Sequence, residues 1–235
     1  MPRLRGLARR LHGDQGLSLI EMVVVTLILG IVLAMVQQTT IQAQKEVAGN
    51  SSRLDQLQQS KVAMESMSKV LRTSVLPTQL DGTCSSCATA AFINGDVRSV
   101  QFYANINNDS NVIGPSQVSY VVDASGTLTE SIHGPNPHAA NDYNYQYTCT
   151  RPTVGCVVTS RVLARKVDTT QVLFTYYDAS GASITPPLTG ATLKLVDSID
   201  VVIKVKVSKN VQAVTLTERV TLPNADAVEQ ESPSS

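Results

Sequence analysis

The sequence has no tryptophan, few aromatic residues and little charge. Aromatic residues make up 4% of its 235 residues and charged residues 16%, with 19 Lys and Arg against 19 Asp and Glu. With so few aromatic side chains, little is available for bases to stack on, and the balanced charge indicates no excess of basic residues. Nothing in the composition therefore supports a nucleic-acid partner. The hydrophobic fraction of 43% is still enough to build a folded core.

Catalytic signatures are missing as well. The sequence contains no G-x-S-x-G, no H-E-x-x-H and no glycine-rich phosphate loop. Of its three histidines, His12 lies near the amino terminus, and His133 and His138 fall in a segment rich in Gly, Pro and Asn that is typical of an exposed loop. We expect no enzymatic activity, no cofactor and no resident metal.

The most informative part of the sequence is its first 36 residues. Residues 1–16 carry four arginines and one aspartate, and residues 17–36 are apolar except for Ser18, Glu21 and Thr26. A helix of twenty residues is about 30 Å long, the thickness of a hydrocarbon core. Because basic flanks stay in the cytoplasm, we expect a single membrane-spanning helix with the amino terminus cytoplasmic and the rest of the chain extracytoplasmic.

A conventional secretory signal is the alternative for this segment. Its peptidase cuts behind the apolar run at small residues, and Ala34-Met35-Val36-Gln37 fits that requirement poorly. The membrane-spanning interpretation is therefore favoured.

Glu21 does not suit a simple anchor, because a charge inside a membrane span is costly unless it has a partner. In a plain anchor, the alternative is that its side chain reaches back to the membrane interface. However, a cut between Gly16 and Leu17 would create an α-amino group one helical turn before Glu21, on the same helix face. The amine and the carboxylate could neutralise each other within one chain or between staggered neighbours.

The segment Gly16-Leu17-Ser18-Leu19-Ile20-Glu21, behind a basic leader and before an apolar run, resembles the processing site of type IV prepilins and type II secretion pseudopilins. The resemblance implies that residues 1–16 are a leader removed after Gly16, that Leu17 becomes the N-methylated first residue, and that Glu21 acts in assembly. The family more often has Phe at the position that Leu17 occupies here.

The same resemblance implies the partners of the chain. They are a prepilin peptidase that is also the methyltransferase, an inner-membrane platform protein, an assembly ATPase and other pilin subunits. Membrane lipid would surround the helix before assembly. The subunit would then move from the inner membrane into a pilus or pseudopilus at the cell surface.

A long helix is predicted to continue beyond the membrane. No proline lies between Pro2 and Pro77, and residues 37–76 are rich in helix formers, so we predict an amphipathic second half that ends near Leu76. Its apolar stripe consists of Leu54, Leu57, Met64, Met67, Leu71 and Val75. We expect that stripe to pack on a sheet of the same chain, with a coiled-coil partner as the alternative.

Residues 77–223 are predicted to form an antiparallel β-rich domain, and residues 224–235 a polar tail. The predicted strands are residues 97–103, 117–122, 127–132, 172–177, 199–207 and 211–222. A long helix followed by such strands gives the α+β fold class, in the arrangement of a pilin-like lollipop.

Two further segments resemble J-type minor pseudopilins and W-type minor pilins in particular. They are the pair Leu71-Arg72 near the helix end, and residues 174–178 followed by Gly181. This resemblance implies a minor subunit that primes assembly or sits near the fibre tip.

The four cysteines form two close pairs, Cys84 with Cys87 and Cys149 with Cys156. An even number of cysteines in an exported domain favours disulfides, and two local bridges are the simplest of three connectivities. A four-thiolate zinc site and a redox-active CxxC are the alternatives.

Two other interpretations stay open. Residues 105–111 offer side-chain oxygens that could hold calcium, although a polar surface turn suits them better because the glycine and glutamate of an EF-hand loop are lacking. The whole chain could instead be a single-pass anchored binding or adhesion module, for surface or DNA capture, that keeps residues 1–16 and joins no fibre.

Overall fold

The computed structural model describes residues 18–80, 87–137, 145–150, 154–206 and 212–223. The chain divides into two compact units, Met1–Ala48 and Gly49–Ser235. The predicted leader, its cleavage site at Gly16 and Leu17, Cys84, His138 and the predicted tail lie outside the described residues.

A single helix, α1 (Leu19–Leu71), accounts for all described residues of the first unit except Ser18. The carbonyl of Ser18 accepts the amides of Glu21 at 2.9 Å and Met22 at 3.1 Å, which opens the first turn. The helix continues through Gly30, where one glycine costs only about 1 kcal/mol relative to alanine.

In the second unit, α1 ends at Leu71, earlier than the predicted end near Leu76. The chain leaves the helix because its backbone pairs with the sheet instead. Ser74 forms an antiparallel bridge with Ala104, and Val75 donates its amide to the carbonyl of Tyr103 at 3.0 Å. A four-residue helix, α2 (Pro77–Leu80), follows.

The described part of the second unit contains nine strands in two antiparallel sheets. They are β1 (Phe92–Gly95), β2 (Ser99–Ala104), β3 (Ser116–Val122), β4 (Leu128–His133), β5 (Val158–Ala164), β6 (Phe174–Tyr177), β7 (Ser183–Ile184), β8 (Ser198–Val205) and β9 (Val214–Thr221). The first sheet has the order β1-β2-β3-β4-β5, and the second has the order β7-β6-β8-β9.

The long helix with antiparallel sheets confirms the predicted α+β, pilin-like class. Each predicted strand overlaps an observed one: these are β2, β3, β4, β6, β8 and β9. Three strands were missed. Strands β1 and β7 are too short to show a pattern. Strand β5 is exposed over most of its length, so its sequence VTSRVLA shows no clear alternation of apolar and polar residues.

The carboxyl-terminal part of α1 lies between the edge strands β5 and β9. On one side the guanidinium of Arg161 in β5 donates to Ser66 at 2.7 Å. On the other side Ser68 donates to the carboxylate of Glu218 in β9 at 2.5 Å. One core therefore forms from this helix and the inner faces of both sheets, with Phe102, Tyr120 and other large apolar side chains at its centre.

The predicted apolar stripe of α1 is only partly buried. Met64, Met67 and Leu71 enter the core, and Val75 does so from beyond the helix end. Leu54 is 64% exposed and Leu57 is 44% exposed, so the prediction that they pack on the sheet is wrong.

Polar residues occupy the buried helix face beside those two leucines. Gln56 and Ser60 are fully buried. In the orientation that satisfies both atoms of its amide, Gln56 donates its nitrogen to the carbonyl of Val205 at 2.8 Å, at the end of β8. The helix face that meets the sheets therefore includes a hydrogen-bonded polar side chain as well as apolar ones.

Two isolated bridges tie a strand of one sheet to a connecting segment, and one tyrosine reaches from the second sheet towards the first. Gly95 of β1 pairs with Leu188, and a Cβ atom at Gly95 would lie 2.7 Å from the Leu188 side chain, so only glycine fits there without a shift. Val167 pairs with Val205. The hydroxyl of Tyr176 in β6 crosses to the first sheet and donates to the carbonyl of Asp96 at 2.9 Å.

Candidate functional site

The amino-terminal part of α1 is an exposed apolar rod. Among the described residues, α1 is the one helix long and apolar enough to cross a membrane, and none of its apolar window is buried. Leu19 is 83% exposed, and the large apolar side chains that follow are about half exposed. Such a surface requires lipid or other apolar helices around it.

Polar groups on this rod are few and largely satisfied. The hydroxyl of Thr26 donates to the carbonyls of Met22 and Val23, both at 3.0 Å, so it can enter hydrocarbon without an unpaired donor. Glu21 lies in the first turn of α1 and is exposed, at the end where the helix dipole favours a negative charge. It is thus the one ionisable group of the described apolar segment.

The cysteines form disulfides in the described part of the chain. Cys149 and Cys156 are bonded to each other, with their Cα atoms 5.9 Å apart. Cys87 is also disulfide-bonded, while Cys84 lies outside the described residues. His133 is close enough to Cys149 and Cys156 to suggest a metal cluster, but sulfurs joined in a disulfide supply no thiolate ligand.

The disulfide holds residues 145–150 against the outer face of the first sheet. Asn136 accepts the amides of Thr148 at 3.0 Å and Cys149 at 2.8 Å, and His133 donates its Nε2 hydrogen to the carbonyl of Cys149 at 3.0 Å. The side chains of Asn136 and His133 thus hold the backbone of this segment, next to the disulfide that holds the Cys149 side chain.

Tyr147 is the side chain that this arrangement places on the sheet. Its ring lies 5.7 Å from that of Tyr103 and 6.1 Å from that of His133, and its hydroxyl donates to the carbonyl of Pro115 at 2.7 Å. Burial raises the pKa of the Tyr147 hydroxyl above its usual value. The cluster therefore packs residues 145–150 onto the outer face of the first sheet.

The asparagine-rich segment 105–111 is occupied with its own hydrogen bonds. The side-chain oxygen of Asn108 accepts the amides of Ile113 at 3.0 Å and Gly114 at 2.8 Å. The amide nitrogen of Asn108 donates to the side-chain oxygen of Asn105 at 2.8 Å. Oxygens used in this way organise a turn, which favours the surface-turn interpretation over calcium binding.

Charged side chains on the outer face of the second sheet are paired with one another. Arg219 makes two bonds to the carboxylate of Asp200, at 2.6 and 2.8 Å, and stacks on the Tyr177 ring with 4.1 Å to its centre. The bond from Arg219 keeps the pKa of Asp200 below its usual value. Lys204 likewise lies 2.9 Å from Asp168.

The helix contacts that position α1 were not found by sequence reasoning. They involve Gln56, Ser66 and Ser68 on the helix and Arg161 and Glu218 on the strands. Polar residues on a mostly polar helix carry no signal of which one is buried, so only the fold identifies them.

Comparison with known proteins gives one match. Residues 11–36 match the family model described as the prokaryotic N-terminal methylation motif. No curated protein and no solved structure matches the chain.

The chain thus carries an N-terminal methylation motif of the type IV prepilin kind, and this supports a pilin-like or pseudopilin-like precursor. The motif and the exposed apolar helix together indicate a membrane-anchored, single-pass protein.

Proposed function

We propose that this protein is a minor pilin or pseudopilin, a structural subunit of a type IV pilus-like fibre. The observation that carries the proposal is the match of residues 11–36 to the methylation motif, which overlaps the apolar start of α1, where no residue of the membrane-length apolar window is buried. A prepilin peptidase would cut after Gly16 and methylate Leu17.

The physical case for assembly rests on α1. An apolar rod can be stored in a membrane and then extracted into a bundle of like rods, since both environments remove its side chains from water. In the bundle Glu21 would pair with the α-amino group of Leu17, in the same chain or in a neighbour. Pairing lowers the cost of a carboxylate in an apolar interior.

The first experiment measures the amino terminus directly. Intact mass spectrometry of the membrane form is expected to find a chain that begins at Leu17 and carries one added methyl group. A chain that keeps residues 1–16 would reject the proposal and favour the anchored binding module, which needs no such processing.

The second experiment tests Glu21. We expect Glu21→Ala to be cleaved normally but to enter the fibre poorly, because the amine of a neighbour loses its partner. Glu46→Ala is the matched control, since Glu46 is an exposed glutamate on the same helix. Normal incorporation of Glu21→Ala into the fibre would show that this carboxylate has no role in assembly.

A place near the fibre tip, or in priming, is the finer part of the proposal. Its support is the resemblance of Leu71-Arg72 and of residues 174–178 to the J-type and W-type branch. In the structure Leu71 is the buried last residue of α1, and Arg72 lies 3.3 Å from Glu218. Immunogold labelling of fibres should find the protein at ends rather than along the shaft, and uniform labelling would contradict the tip position.

A further inference from the structure

A groove of about 670 Å³ runs between α1 and the edge strand β9. Its apolar floor is formed by Met64 and Leu216, and Thr217 lies on the strand side. The helix side carries Lys61, Glu65 and Lys69, which are spaced four residues apart and so follow one face of the helix.

Strand β9 presents an open row of backbone groups to this side. In an antiparallel ladder, the backbone amides and carbonyls of alternate residues point towards the same neighbouring strand. Leu222 donates its amide to the carbonyl of Asp197 at 2.9 Å, on the β8 side. The backbone groups of residues 220, 218 and 216 therefore also point towards β8. The amides and carbonyls of Thr215, Thr217, Arg219 and Thr221 therefore point away from β8. Among the described residues, no backbone group pairs with that edge.

The charges of the groove are not all used within the chain. Glu218 is held inward by Ser68 at 2.5 Å and by Arg72 at 3.3 Å. Within the part of the chain that the structure describes, Lys61 and Lys69 have no acidic group at ion-pair distance. Two lysines, with Glu65 between them on the same helix face, thus stand over an apolar floor and an open strand edge.

We propose that this groove receives an extended, acidic segment of a different pilin-type subunit, which adds to β9 as a further strand. The main chain of that segment would pair with the β9 edge, one apolar side chain would cover Met64 and Leu216, and a carboxylate would meet Lys61 or Lys69. The inference rests on the proposed function, since it assumes that the chain works among other subunits.

A second copy of this chain suits the groove less well than a different subunit. The other described edge strands, β1, β5 and β7, contain no acidic residue. Pairing of β9 with β9 of a second copy would bring two sets of Lys61 and Lys69 together, and like charges oppose each other.

The test places a photo-crosslinking amino acid at Thr217 in the full chain, in cells that contain the complete assembly system. Ser119 on the outer face of β3 is the control position. We expect Thr217 to cross-link to another pilin-type subunit, identified by mass spectrometry, and Ser119 to give no such product.

Two sets of variants distinguish the contribution of backbone pairing from that of charge. In each variant, cross-linking is measured with the photo-crosslinking amino acid at the neighbouring position Leu216. Thr217→Pro removes one outward amide without touching the β8 ladder, whereas Thr217→Val keeps that amide. Lys61→Glu with Lys69→Glu reverses the groove charge, and Lys194→Glu with Lys206→Glu makes the same change at exposed sites elsewhere. We expect the first member of each pair to reduce cross-linking about fivefold or more, and the second to leave it unchanged.

Several outcomes would overturn the proposal. A cross-link to a second copy, or to residues 224–235 of the same chain, would assign the groove a different occupant. No cross-link from a subunit that is cleaved and incorporated would reject the groove while leaving the proposed function intact. A chain that keeps residues 1–16 would instead reject the proposed function, and this inference with it.

Discussion

Arg161 forms an ion pair with Glu130, the residue directly opposite it on the neighbouring strand, although the Glu130 side chain is only 2% exposed. The same carboxylate accepts the hydroxyl of Tyr120 at 2.9 Å, and a second nitrogen of Arg161 donates to Ser66 on α1. Burial, and next to it the charge of Glu130, raise the pKa of Tyr120 above its usual value. One buried carboxylate thus links its own strand to both neighbouring strands and, through Arg161, to the long helix.

This arrangement predicts a clear stability effect. Arg161→Ala leaves a buried charge without its cation, and we expect it to lower the free energy of unfolding by about 2 kcal/mol, below the range for a fully buried pair because Arg161 itself is half exposed. Urea unfolding of the full chain in detergent measures it. Adding Glu130→Gln to the variant should recover part of the loss, and Lys194→Ala should change little.

The two parts of the predicted helix stripe should respond differently to truncation. Met67→Ala removes a fully buried side chain and should cost about 2 to 5 kcal/mol. Leu54→Ala removes a side chain that is 64% exposed and should change the free energy of unfolding by less than about 0.5 kcal/mol. Equal costs in thermal unfolding would mean that Leu54 is buried after all.

The contacts of Asp168 predict that the stability of the fold depends on pH. The hydroxyl of Thr170 and the ammonium of Lys204 lower its pKa to about 2, below the usual value of about 4. A depressed folded-state pKa stabilises the fold above the unfolded pKa, and this contribution is lost as the pH falls from about 4 towards 2. Asp168→Asn should therefore be less stable than wild type at pH 7, and the difference should shrink below pH 4. Asp55→Asn, at an exposed helix position, should show no such convergence.

Removal of the Cys149–Cys156 bridge should affect its own segment most. In Cys149→Ser with Cys156→Ser the unfolded chain gains freedom, and we expect a loss of about 2 kcal/mol in the free energy of unfolding. Hydrogen exchange at the Thr148 and Cys149 amides should accelerate, because only non-covalent contacts, among them the hydrogen bonds to Asn136, would then hold the segment. Unchanged exchange would show that Asn136 and Tyr147 fix the segment without the disulfide.

Two turns show how far local sequence was sufficient. Asp123-Ala124-Ser125-Gly126 and Asp178-Ala179-Ser180-Gly181 repeat one sequence, and both follow a strand. In each turn the aspartate carboxylate accepts the amide of the serine two residues later, and the glycine has a φ of 77° or 80°. These turns could be predicted because every group that makes them lies within five residues.

The sequence by itself determined the apolar amino-terminal helix, the methylation motif, the α+β class and six of the strands. Each depends on neighbours along the chain: hydrophobic length, a short motif, or alternation of apolar residues. Only the tertiary structure decided that the strands form two sheets, that the carboxyl-terminal part of α1 lies between β5 and β9, and that Gln56 and Ser60 rather than Leu54 and Leu57 face inward. The buried face of a helix depends on the strands that flank it, and here those strands are more than eighty residues away in the sequence.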